Sequence, residues 1–383
     1  MRQNPELHYL DNASTTMVAP AVAEAVNTAM LQHWANPSSL YSLGVESEDV
    51  LNRARGAVAK TLGCTAKEIY FTAGGSEGNN MAILGAAQSK HFGKKIVASG
   101  FEHASVRRPL ESLAQQGYTV VTVAPGADGH LDVEKLAAAV DGCTILVACM
   151  MVNNETGVRN DVEKLAAAVK AKNSRTAVHV DAVQAWMRVP VKLDNIDTLS
   201  VSGHKIHAPK GIGALYVAER YFQSFRPPYV GGEQEREKRP GTENIPYAVG
   251  LATAAQTLFK TMGERDKACR ALNAQLRAGL EKLPGVVLNS PADAVPEVLN
   301  FSNNCIKSQT MLTFLAEAGV YVSSGSACDK GLPSHTLAAM GRDALAMDTA
   351  IRVSLCADNT PEDIEAFLNR YAEGLRTLAH IRK

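Results

Sequence analysis

The chain has 383 residues, of which 46% are hydrophobic and 20% are charged, so it holds enough apolar material for a folded core. Intrinsic disorder is therefore excluded as the main state. Lys+Arg and Asp+Glu both count 39, and this zero formal charge argues against a general nucleic-acid binder. The longest apolar run, 145–152, has eight residues, far short of the ~20 that a membrane-spanning helix needs.

The seven cysteines are scattered along the chain, and none of them forms a CxxC pair. This spacing argues against a disulfide framework and against a zinc ribbon, and no metal site is predicted. The N-terminus shows no basic region followed by an apolar stretch, so no secretory signal is expected. Scattered thiols favour a reducing compartment, and the predicted location is the cytoplasm. The class that remains is an α/β enzyme or binding protein.

From about residue 66 to residue 220, β-rich runs alternate with helical patterns. Seven strands are predicted, at 68–73, 94–100, 118–124, 144–152, 176–182, 198–203 and 213–219. Helix-like stretches separate most of them, including 78–90 and 162–172. This alternation predicts a mostly parallel sheet with helices on both faces. Such sheets bind ligands at the carboxyl ends of their strands, so functional residues are expected there.

Beyond about residue 255 the pattern changes. A long helix is predicted over 251–283, followed by short strands in VVLNS, EVLNFS and AIRVSL and by a final helix from Pro361. The predicted units are an N-terminal segment (1–20) that packs on the small domain, a large domain (21–255) and a smaller α+β domain (256–383). The stretch 226–244 is rich in Gly, Pro and charge, and it is predicted to be an ordered surface segment.

The sequence DVEKLAAAV occurs twice, at 132–140 and at 161–169. In both copies the Asp is expected to cap an Ala-rich helix with one apolar face. Two copies of one helix do not make a solenoid, which needs several stacked repeats. The repeat is interpreted as a coincidence or a short local duplication.

Two motifs indicate an anionic group and a cationic ring. The stretch FTAGGSEGNN (71–80) joins a strand to a helix through glycines, and its helix start with Ser76 can bind an anion. It has neither the Lys-Ser/Thr of a P-loop nor a GxGxxG pattern, and alternatively it is only an N-cap with a tight turn. In HVDAVQ (179–184), Asp181 follows a buried-type strand, and its carboxylate either balances a cationic ring nitrogen or caps a helix.

The stretch SGHKIHAPKGIG (202–213) places Lys205 in a turn at a strand end, with Lys210 as a competitor in the same loop. A partly desolvated lysine near other cations can form a Schiff base, although most lysines are simply solvated. A phosphate cradle, a carboxylate for a pyridinium and a Schiff-base lysine are the three parts that hold pyridoxal phosphate (PLP). Their order, and their common position at strand ends, predict this cofactor.

Cys328 lies in the Gly/Ser-rich stretch VSSGSACDKG (322–331), which favours exposure over packing. Reactive thiols need access and thiolate character, so Cys328 is predicted to be functional. The other cysteines lie mostly in apolar patterns and are interpreted as structural; they are Cys64, Cys143, Cys149, Cys269, Cys305 and Cys356.

Together these motifs resemble the cysteine desulfurases (NifS/IscS-like) of the class V aminotransferase family, which are fold-type I PLP enzymes. The resemblance spans roughly residues 8 to 380, and SSGSAC separates desulfurases of the iron–sulfur-assembly type from plain aminotransferases. The implied fold is an α/β transferase with a mostly parallel central sheet, helices on both faces and a smaller α+β C-terminal domain. The motifs are YLDNASTT (9–16), NPSS (36–39), TAGGSEGNN (72–80), EHASV (102–106), NNETGV (153–158), HVDAVQ, SGHK, RPGTEN (239–244) and SSGSAC (323–328).

The resemblance also implies a role for each matching residue. Lys205 would carry PLP as a Schiff base, Asp181 would pair with the pyridine nitrogen, and His103 would stack on the ring and take part in proton transfer. The further implied contacts are Asn154 and Gln184 with the phenolic oxygen, Gly75, Ser76, Ser202 and His204 with the phosphate, Thr242 with the phosphate of a partner subunit, and Arg352 and Asn36 with the substrate carboxylate.

The implied reaction converts L-cysteine to L-alanine in a homodimer, and the Cys328 thiolate takes the sulfur as a persulfide. The sulfur then passes to an acceptor protein or a small thiol, in iron–sulfur cluster assembly or other sulfur metabolism. The alternatives are a selenocysteine lyase, another class V reaction such as amino transfer, or a non-catalytic interaction protein with the same fold.

Three departures from the family pattern leave the acceptor open. The stretch DKGLPSHTL after SSGSAC looks shorter than in members that serve the usual scaffold, and the extended tail of those members is not seen after the last helix-like run. Glu233 and Glu237 also stand where glycines are usual. Weak or altered docking to the usual scaffold is therefore expected.

Overall fold

The computed structural model describes residues 7–89, 91–325 and 333–381. Within these ranges the strands form a seven-stranded sheet, a three-stranded sheet and a two-stranded pair. None of the described helices is long and apolar enough to cross a membrane. In chain order the strands are β1 (His8–Tyr9), β2 (Ile69–Thr72), β3 (Lys95–Ser99), β4 (Thr119–Val123), β5 (Thr144–Met150), β6 (Ala177–Asp181), β7 (Thr198–Ser202), β8 (Gly213–Val217), β9 (Val287–Leu288), β10 (Val298–Ser302), β11 (Val320–Tyr321) and β12 (Ala350–Ser354).

Helices cover the large sheet and complete the small one. They are α1 (Pro20–Gln32), α2 (Ser42–Leu62), α3 (Gly75–Ser89), α4 (Ala104–Gln115), α5 (Val133–Ala138), α6 (Val162–Lys172), α7 (Glu219–Phe222), α8 (Ile245–Leu280), α9 (Ser308–Ala316), α10 (His335–Ala339), α11 (Ala344–Asp348) and α12 (Pro361–Thr377). Short 3₁₀ helices lie at Ala66–Glu68, Gly203–Lys205 and Gln234–Glu237.

The seven-stranded sheet has the order β2-β8-β7-β6-β5-β3-β4, and each strand lies within a range predicted from the sequence. The pairs β7/β6, β6/β5, β5/β3 and β3/β4 are parallel, whereas β8 runs antiparallel to both β2 and β7. Every residue of β5, β6, β7 and β8 is buried. Burial on both faces is what helices on both sides of a parallel sheet produce, so the predicted α/β architecture is confirmed.

The long helix α8 joins two hydrophobic cores. Its first half packs with the large sheet through residues up to Leu258, and its second half contributes Leu272 and Leu276 to a second core. It begins at Ile245 rather than at the predicted residue 251, because the Asn244 side chain accepts the backbone N–H of Tyr247 at 3.1 Å and caps the helix. The predicted domain boundaries themselves stay a prediction.

The second core lies under the antiparallel sheet β12-β10-β9, which contains the three predicted C-terminal strands. Phe301, Phe367 and Tyr371 pack at its centre, with Tyr371 5.4 Å from each of the other two ring centroids. The N-terminal strand β1 pairs with β11, and Leu10 is part of this core. Residues 8–10 therefore pack against the second core.

The two DVEKLAAAV copies form α5 and the first part of α6, and the two helices contact each other. Asp132 accepts the N–H of Lys135 at 3.0 Å, and Asp161 accepts the N–H of Lys164 at 2.9 Å. Both predicted Asp caps are confirmed. The first helix ends at Ala138, whereas the second continues to Lys172.

Candidate active site

The predicted functional residues meet at the carboxyl edge of the large sheet. β6 ends at Asp181, and the next strand, β7, ends at Ser202 and leads into the 3₁₀ helix Gly203–Lys205. β2 runs in the same direction as β7, because β8 is antiparallel to both, and β2 leads into α3 at Gly75. A helix start, a carboxylate and a lysine therefore share one edge of the sheet, where α/β proteins bind ligands.

The start of α3 is pressed against the neighbouring strand ends. A Cβ at Gly75 would lie 2.4 Å from Cγ2 of Val183, and one at Gly78 would lie 2.7 Å from Oγ of Ser200. Only glycine allows this approach at both positions. Ser76, the second residue of α3, is exposed, so its hydroxyl and the first helical N–H groups can face an anion.

Asp181 is buried and anchors a chain of polar side chains. Its two oxygens accept the side-chain amide of Asn79 at 2.8 Å and the N–H of Val183 at 2.9 Å. The Asn79 oxygen pairs at 2.9 Å with Nε2 of His179, whose Nδ1 contacts Oγ1 of Thr198 at 2.9 Å. Burial lowers the pKa of His179 to about 3, so this imidazole is neutral. Neutral partners leave the Asp181 carboxylate available to pair with a cation.

His103 caps α4 from the turn after β3. Its Nδ1 accepts the N–H of Ser105 at 3.1 Å and lies 2.8 Å from the Ser105 hydroxyl, which also accepts from Asn79 at 2.8 Å. His103 and Asp181 are thus joined through Ser105 and Asn79, two residues for which the sequence predicted no role. The preceding residue, Glu102, is buried, and this burial raises the pKa of its carboxyl to about 8.

The amine of Lys205 points to the N-terminal segment. It donates to the backbone carbonyls of Ala13 at 2.7 Å and Ser14 at 2.6 Å. The Gln184 side chain donates to the same Ala13 carbonyl at 2.9 Å, so the two predicted cofactor contacts lie together. Lys210, the competitor in the loop, is exposed, which favours Lys205 as the functional amine.

His204 lies between the lysine turn and the N-terminal segment. Its Nδ1 is 3.2 Å from Oγ1 of Thr15. Burial, with smaller contributions from the charges of Lys205 and Lys210, lowers the pKa of His204 to about 4. A neutral imidazole in this position can donate a hydrogen bond to a phosphate without adding a charge.

Arg352 lies in β12 and is buried at the junction of the two units. Its guanidinium donates to Oδ1 of Asp11 at 2.7 Å and to the backbone oxygen of Asn154 at 2.9 Å, which places two predicted residues together. Nε of Arg352 has no hydrogen-bond partner among the described residues. Asn36 is exposed, and its side chain makes a local bond with the N–H of Ser38 at 2.9 Å.

The segment 226–244 lies mostly at the surface, as predicted, but three of its residues are buried: Pro227, Glu235 and Lys238. Glu235 is buried, and its carboxylate accepts from both terminal nitrogens of Arg55, at 2.6 and 2.9 Å, and from the N–H of Phe71 at 3.0 Å. Glu237 has a φ of +63°, a conformation that favours glycine. Thr242 is exposed on this chain, at the end of the segment.

Cys328 lies outside the described residues. The residues that flank its stretch both contact Glu155, which is buried: the Ser334 hydroxyl donates to Oε2 at 2.6 Å, and a Cβ at Gly325 would lie 3.1 Å from the same oxygen. Glu155 is a contact that the sequence did not reveal, although the residue stands in the quoted NNETGV motif.

The other cysteines differ in burial, and Cys64, Cys305 and Cys356 are partly exposed. Cys149 and Cys269 are buried, and burial raises the pKa of both thiols. Cys143 is exposed, so burial does not support a structural role for this thiol.

Comparison with known proteins agrees with this geometry. Residues 8–367 match the family model described as aminotransferase class-V. This chain belongs to the class V aminotransferase family. A cysteine desulfurase of a Nostoc species is 39% identical over 380 residues, which cover 97% of this chain and 94% of the relative.

Two further members of this family are similar over almost the whole chain. A cysteine desulfurase named IscS from Methanosarcina thermophila is 37% identical over 97% of this chain and 93% of its own length. A solved structure described as a NifS-like protein superimposes with a TM-score of 0.91 at 35% identity, covering 97% of this chain and 99% of that one. Within the class V family, the chain is therefore a member of the cysteine desulfurase group.

Class V aminotransferases of this group depend on PLP, and the described residues fit that cofactor. The glycines of α3 let a helix start lie against the strand ends, where its N–H groups can hold a phosphate. The buried Asp181 and the Lys205 amine follow neighbouring strands of the same edge. These three parts match the phosphate, the ring nitrogen and the aldehyde carbon of PLP.

Proposed function

We propose that the enzyme converts L-cysteine to L-alanine and transfers the cysteine sulfur to Cys328. The observation that carries this proposal is the Lys205 amine and the buried Asp181 carboxylate at neighbouring strand ends, beside the glycine-lined start of α3. Bound PLP supplies an electron sink for the carbon skeleton of the substrate. The relatives in the same group carry the name cysteine desulfurase.

The proposed cofactor contacts lie at the carboxyl edge of the large sheet. Asp181 would pair with its ring nitrogen, since its partners Asn79 and Val183 are neutral. His103 would stack on the ring, and Lys205 would bind the aldehyde carbon. The other proposed contacts are Asn154 and Gln184 at the phenolic oxygen, and Gly75, Ser76, Ser202 and His204 at the phosphate.

The substrate is proposed to bind at the junction of the two units. Arg352 presents a planar guanidinium whose Nε has no partner among the described residues. It can therefore donate two parallel hydrogen bonds to a carboxylate in bidentate geometry. To do so it would exchange its bond with Asp11 for the substrate, and Asn36 would add a further contact. Lys205 would then move the proton of the substrate Cα, a task for which a basic amine must be close to that atom.

The sulfur leaves the substrate through Cys328. Its thiolate bonds to the substrate sulfur as the Cβ–S bond breaks, and the electron pair of that bond stays with the three-carbon fragment. That fragment is protonated and leaves as alanine, so cysteine and a thiol become alanine and a persulfide. The persulfide sulfur is then passed to an acceptor protein or a small thiol.

We also propose a homodimer. A group of exposed apolar side chains surrounds the end of α1 and the start of α2, and an exposed patch of this kind on a folded chain favours association. Asn36 is exposed within this stretch, and Thr242 is exposed at the start of α8, so Thr242 can reach the phosphate site of a second copy. The apolar side chains are Met30, Leu31, Trp34, Leu40 and Tyr41.

The cellular location is proposed to be the cytoplasm. The support is chemical: free thiols such as Cys143 and a persulfide-carrying Cys328 survive in a reducing compartment.

A product analysis tests the function. Purified enzyme should absorb light as a lysine-bound PLP protein and should release alanine from cysteine. Cys328→Ser should keep the absorbance and its response to cysteine but should accumulate no protein-bound sulfur, because a hydroxyl is a poor sulfur acceptor at neutral pH. Cys143→Ser, which removes an exposed thiol, is the matched control and should behave as the wild type. The proposal would be contradicted if Cys328→Ser accumulated as much protein-bound persulfide as the wild type, or if the wild type formed no alanine from cysteine.

A further inference from the structure

A small cavity lies behind the lysine turn, between the two units. It has a volume of about 30 Å³, enough for one water molecule or one ion. Four residues of its lining matter here. They are His207 in the lysine turn, Cys269 in α8, Glu297 directly before β10, and Cys356 in the loop after β12. No residue of this set has a role in the proposed reaction.

Two lining residues, His207 and Cys356, form a group of metal-type donors with the exposed Asp358, which lies beside the cavity. A ring nitrogen of His207, Sγ of Cys356 and a carboxylate oxygen of Asp358 all lie within 4.8 Å of one another. We propose that these three residues bind a divalent transition-metal ion of the zinc class. Imidazole, thiolate and carboxylate are ligands that zinc takes in proteins, and three of them leave a fourth position for water or a further carboxylate.

His207 is already held in the orientation of a metal ligand. Its Nδ1 donates to the backbone carbonyl of Met17 at 3.0 Å, so Nε2 carries the lone pair. A histidine that ligates a metal usually donates its other ring N–H to such an acceptor, which fixes the tautomer. The backbone N–H of His207 donates to Oγ1 of Thr16 at 2.8 Å, which also holds this residue in place.

Glu297 supplies an independent observation. Its side chain is buried, with 7% of the residue exposed, and Oε2 has no hydrogen-bond partner among the residues that the structure describes. A buried carboxylate oxygen without a donor is destabilising, and a cation in the adjoining cavity would satisfy it. Glu297 lines the cavity but is not one of the three mutually close donors, so it would act through a water bound to the ion.

Two arginines stand near the proposed site and oppose a cation there. Nη2 of Arg265 lies 3.4 Å from Nε2 of His207, a long contact that an ion would replace. Arg188 is engaged by the backbone and side-chain oxygens of Gln184. Cys356 would bind the ion as a thiolate, so binding of the ion would release the thiol proton. Because the Arg265 charge opposes a cation beside His207, removing this charge should tighten metal binding.

The site has a clear consequence for the molecule. His207 is two residues after Lys205, and Cys356 is four residues after Arg352, so a bound ion would link the lysine turn to the strand that carries the substrate arginine. This site could not be predicted from the sequence, because His207 lies about 150 residues before Cys356 and Asp358 and no short Cys or His spacing marks it.

Zinc binding to the full-length holoenzyme tests the proposal. The Cys328→Ser background removes the other reactive thiol, and equilibrium dialysis with metal analysis should then find about one zinc ion per chain. Adding Cys356→Ser or His207→Gln should weaken zinc binding by more than about 100-fold, beyond what loss of an outer contact produces. Adding Cys143→Ser, the exposed matched control, should leave binding unchanged, and Arg265→Gln should strengthen it.

Cobalt(II) provides a spectroscopic check that does not depend on turnover. It should give ligand-field bands at wavelengths beyond the cofactor absorbance, together with thiolate charge transfer that disappears in Cys356→Ser. The melting temperature and cofactor absorbance of each variant show whether it is folded. The proposal is overturned if the Cys328→Ser enzyme binds no zinc, or if folded Cys356→Ser and His207→Gln enzymes bind it as tightly as the parent.

Discussion

At the scale of single residues, the amine of Lys205 is the feature on which catalysis depends. Two backbone carbonyls, those of Ala13 and Ser14, hold it near the sheet edge, whereas Lys210 is exposed. Lys205→Ala should lose lysine-bound PLP and lower the rate of alanine formation by at least roughly 10²–10⁴-fold, the contribution of a positioned proton-transfer group. Lys210→Ala is the matched control and should keep both. Retention of the cofactor absorbance and activity in Lys205→Ala would refute the assignment.

Glu102 gives a prediction for the pH dependence of stability. Burial raises the pKa of its carboxyl to about 8, well above the value of an unfolded chain. Between about pH 5 and pH 8 the folded state therefore binds the extra proton, and the free energy of unfolding must fall as the pH rises.

Glu102→Gln removes this titration. Its side-chain oxygen can still accept the N–H of Met150, a 2.7 Å bond to the carboxylate in the wild type, and the Ser99 hydroxyl. The free energy of unfolding of the variant relative to wild type, measured by urea unfolding, should rise from pH 5 to pH 8 with a limiting slope of about 1.4 kcal/mol per pH unit. Glu111→Gln, an exposed change on α4, should show no such trend. Parallel curves for Glu102→Gln and wild type would show that Glu102 titrates normally.

At the scale of elements, a buried ion pair fixes the segment 226–244 to the sheet. Glu235 binds Arg55 of α2 through two bonds and also accepts the N–H of Phe71 in β2. Glu235→Gln should destabilise the fold by about 3–5 kcal/mol, because it leaves the Arg55 charge buried without its partner. The exposed Glu233→Gln is the matched control. Urea unfolding of both variants measures the difference, and equal midpoints would mean that the pair contributes no net stability.

The elements themselves were largely predictable, because strand and helix patterns are local. All seven central strands, the Asp caps of α5 and α6 and the convergence of Lys205 with Asp181 follow from patterns of a few residues. The bond of Asp11 to Arg352 joins residues more than three hundred positions apart, and no sequence spacing encodes it. The left-handed backbone of Glu235–Glu237 was missed because these positions contain no glycine.

At the scale of the whole molecule, the proposed homodimer should share its active sites. Thr242 is exposed on its own chain, and the proposal places it at the phosphate of the second copy. Thr242→Asp should therefore repel PLP from the partner's site, while Lys205→Ala inactivates its own. Each mixed dimer would contain one intact site, so an equimolar mixture of the two variants should recover about a quarter of wild-type activity after subunit exchange.

Two controls define this experiment. Mixing Lys205→Ala with Asp181→Asn is the first control and should recover no activity, because both residues belong to the site of one chain and each mixed dimer then has a defect in both sites. The second control is Thr242→Asp alone, which should be inactive until Lys205→Ala chains are added. A monomeric mass in sedimentation analysis with full activity, or no recovery despite proven exchange, would contradict shared sites.

The repeated DVEKLAAAV sequence also serves as an internal standard for hydrogen–deuterium exchange. Intrinsic amide exchange depends on the local sequence, which is nearly the same in both copies, so a difference in protection reports the surroundings. In the first copy the amides of Ala139 and Val140 donate to carbonyls three residues back, whereas α6 continues past the second copy to Lys172. Deuterium uptake should be faster at the end of the first copy than at the end of the second. Peptides of the first copy are identified by their extension into Gly142, and those of the second by their extension into Lys170.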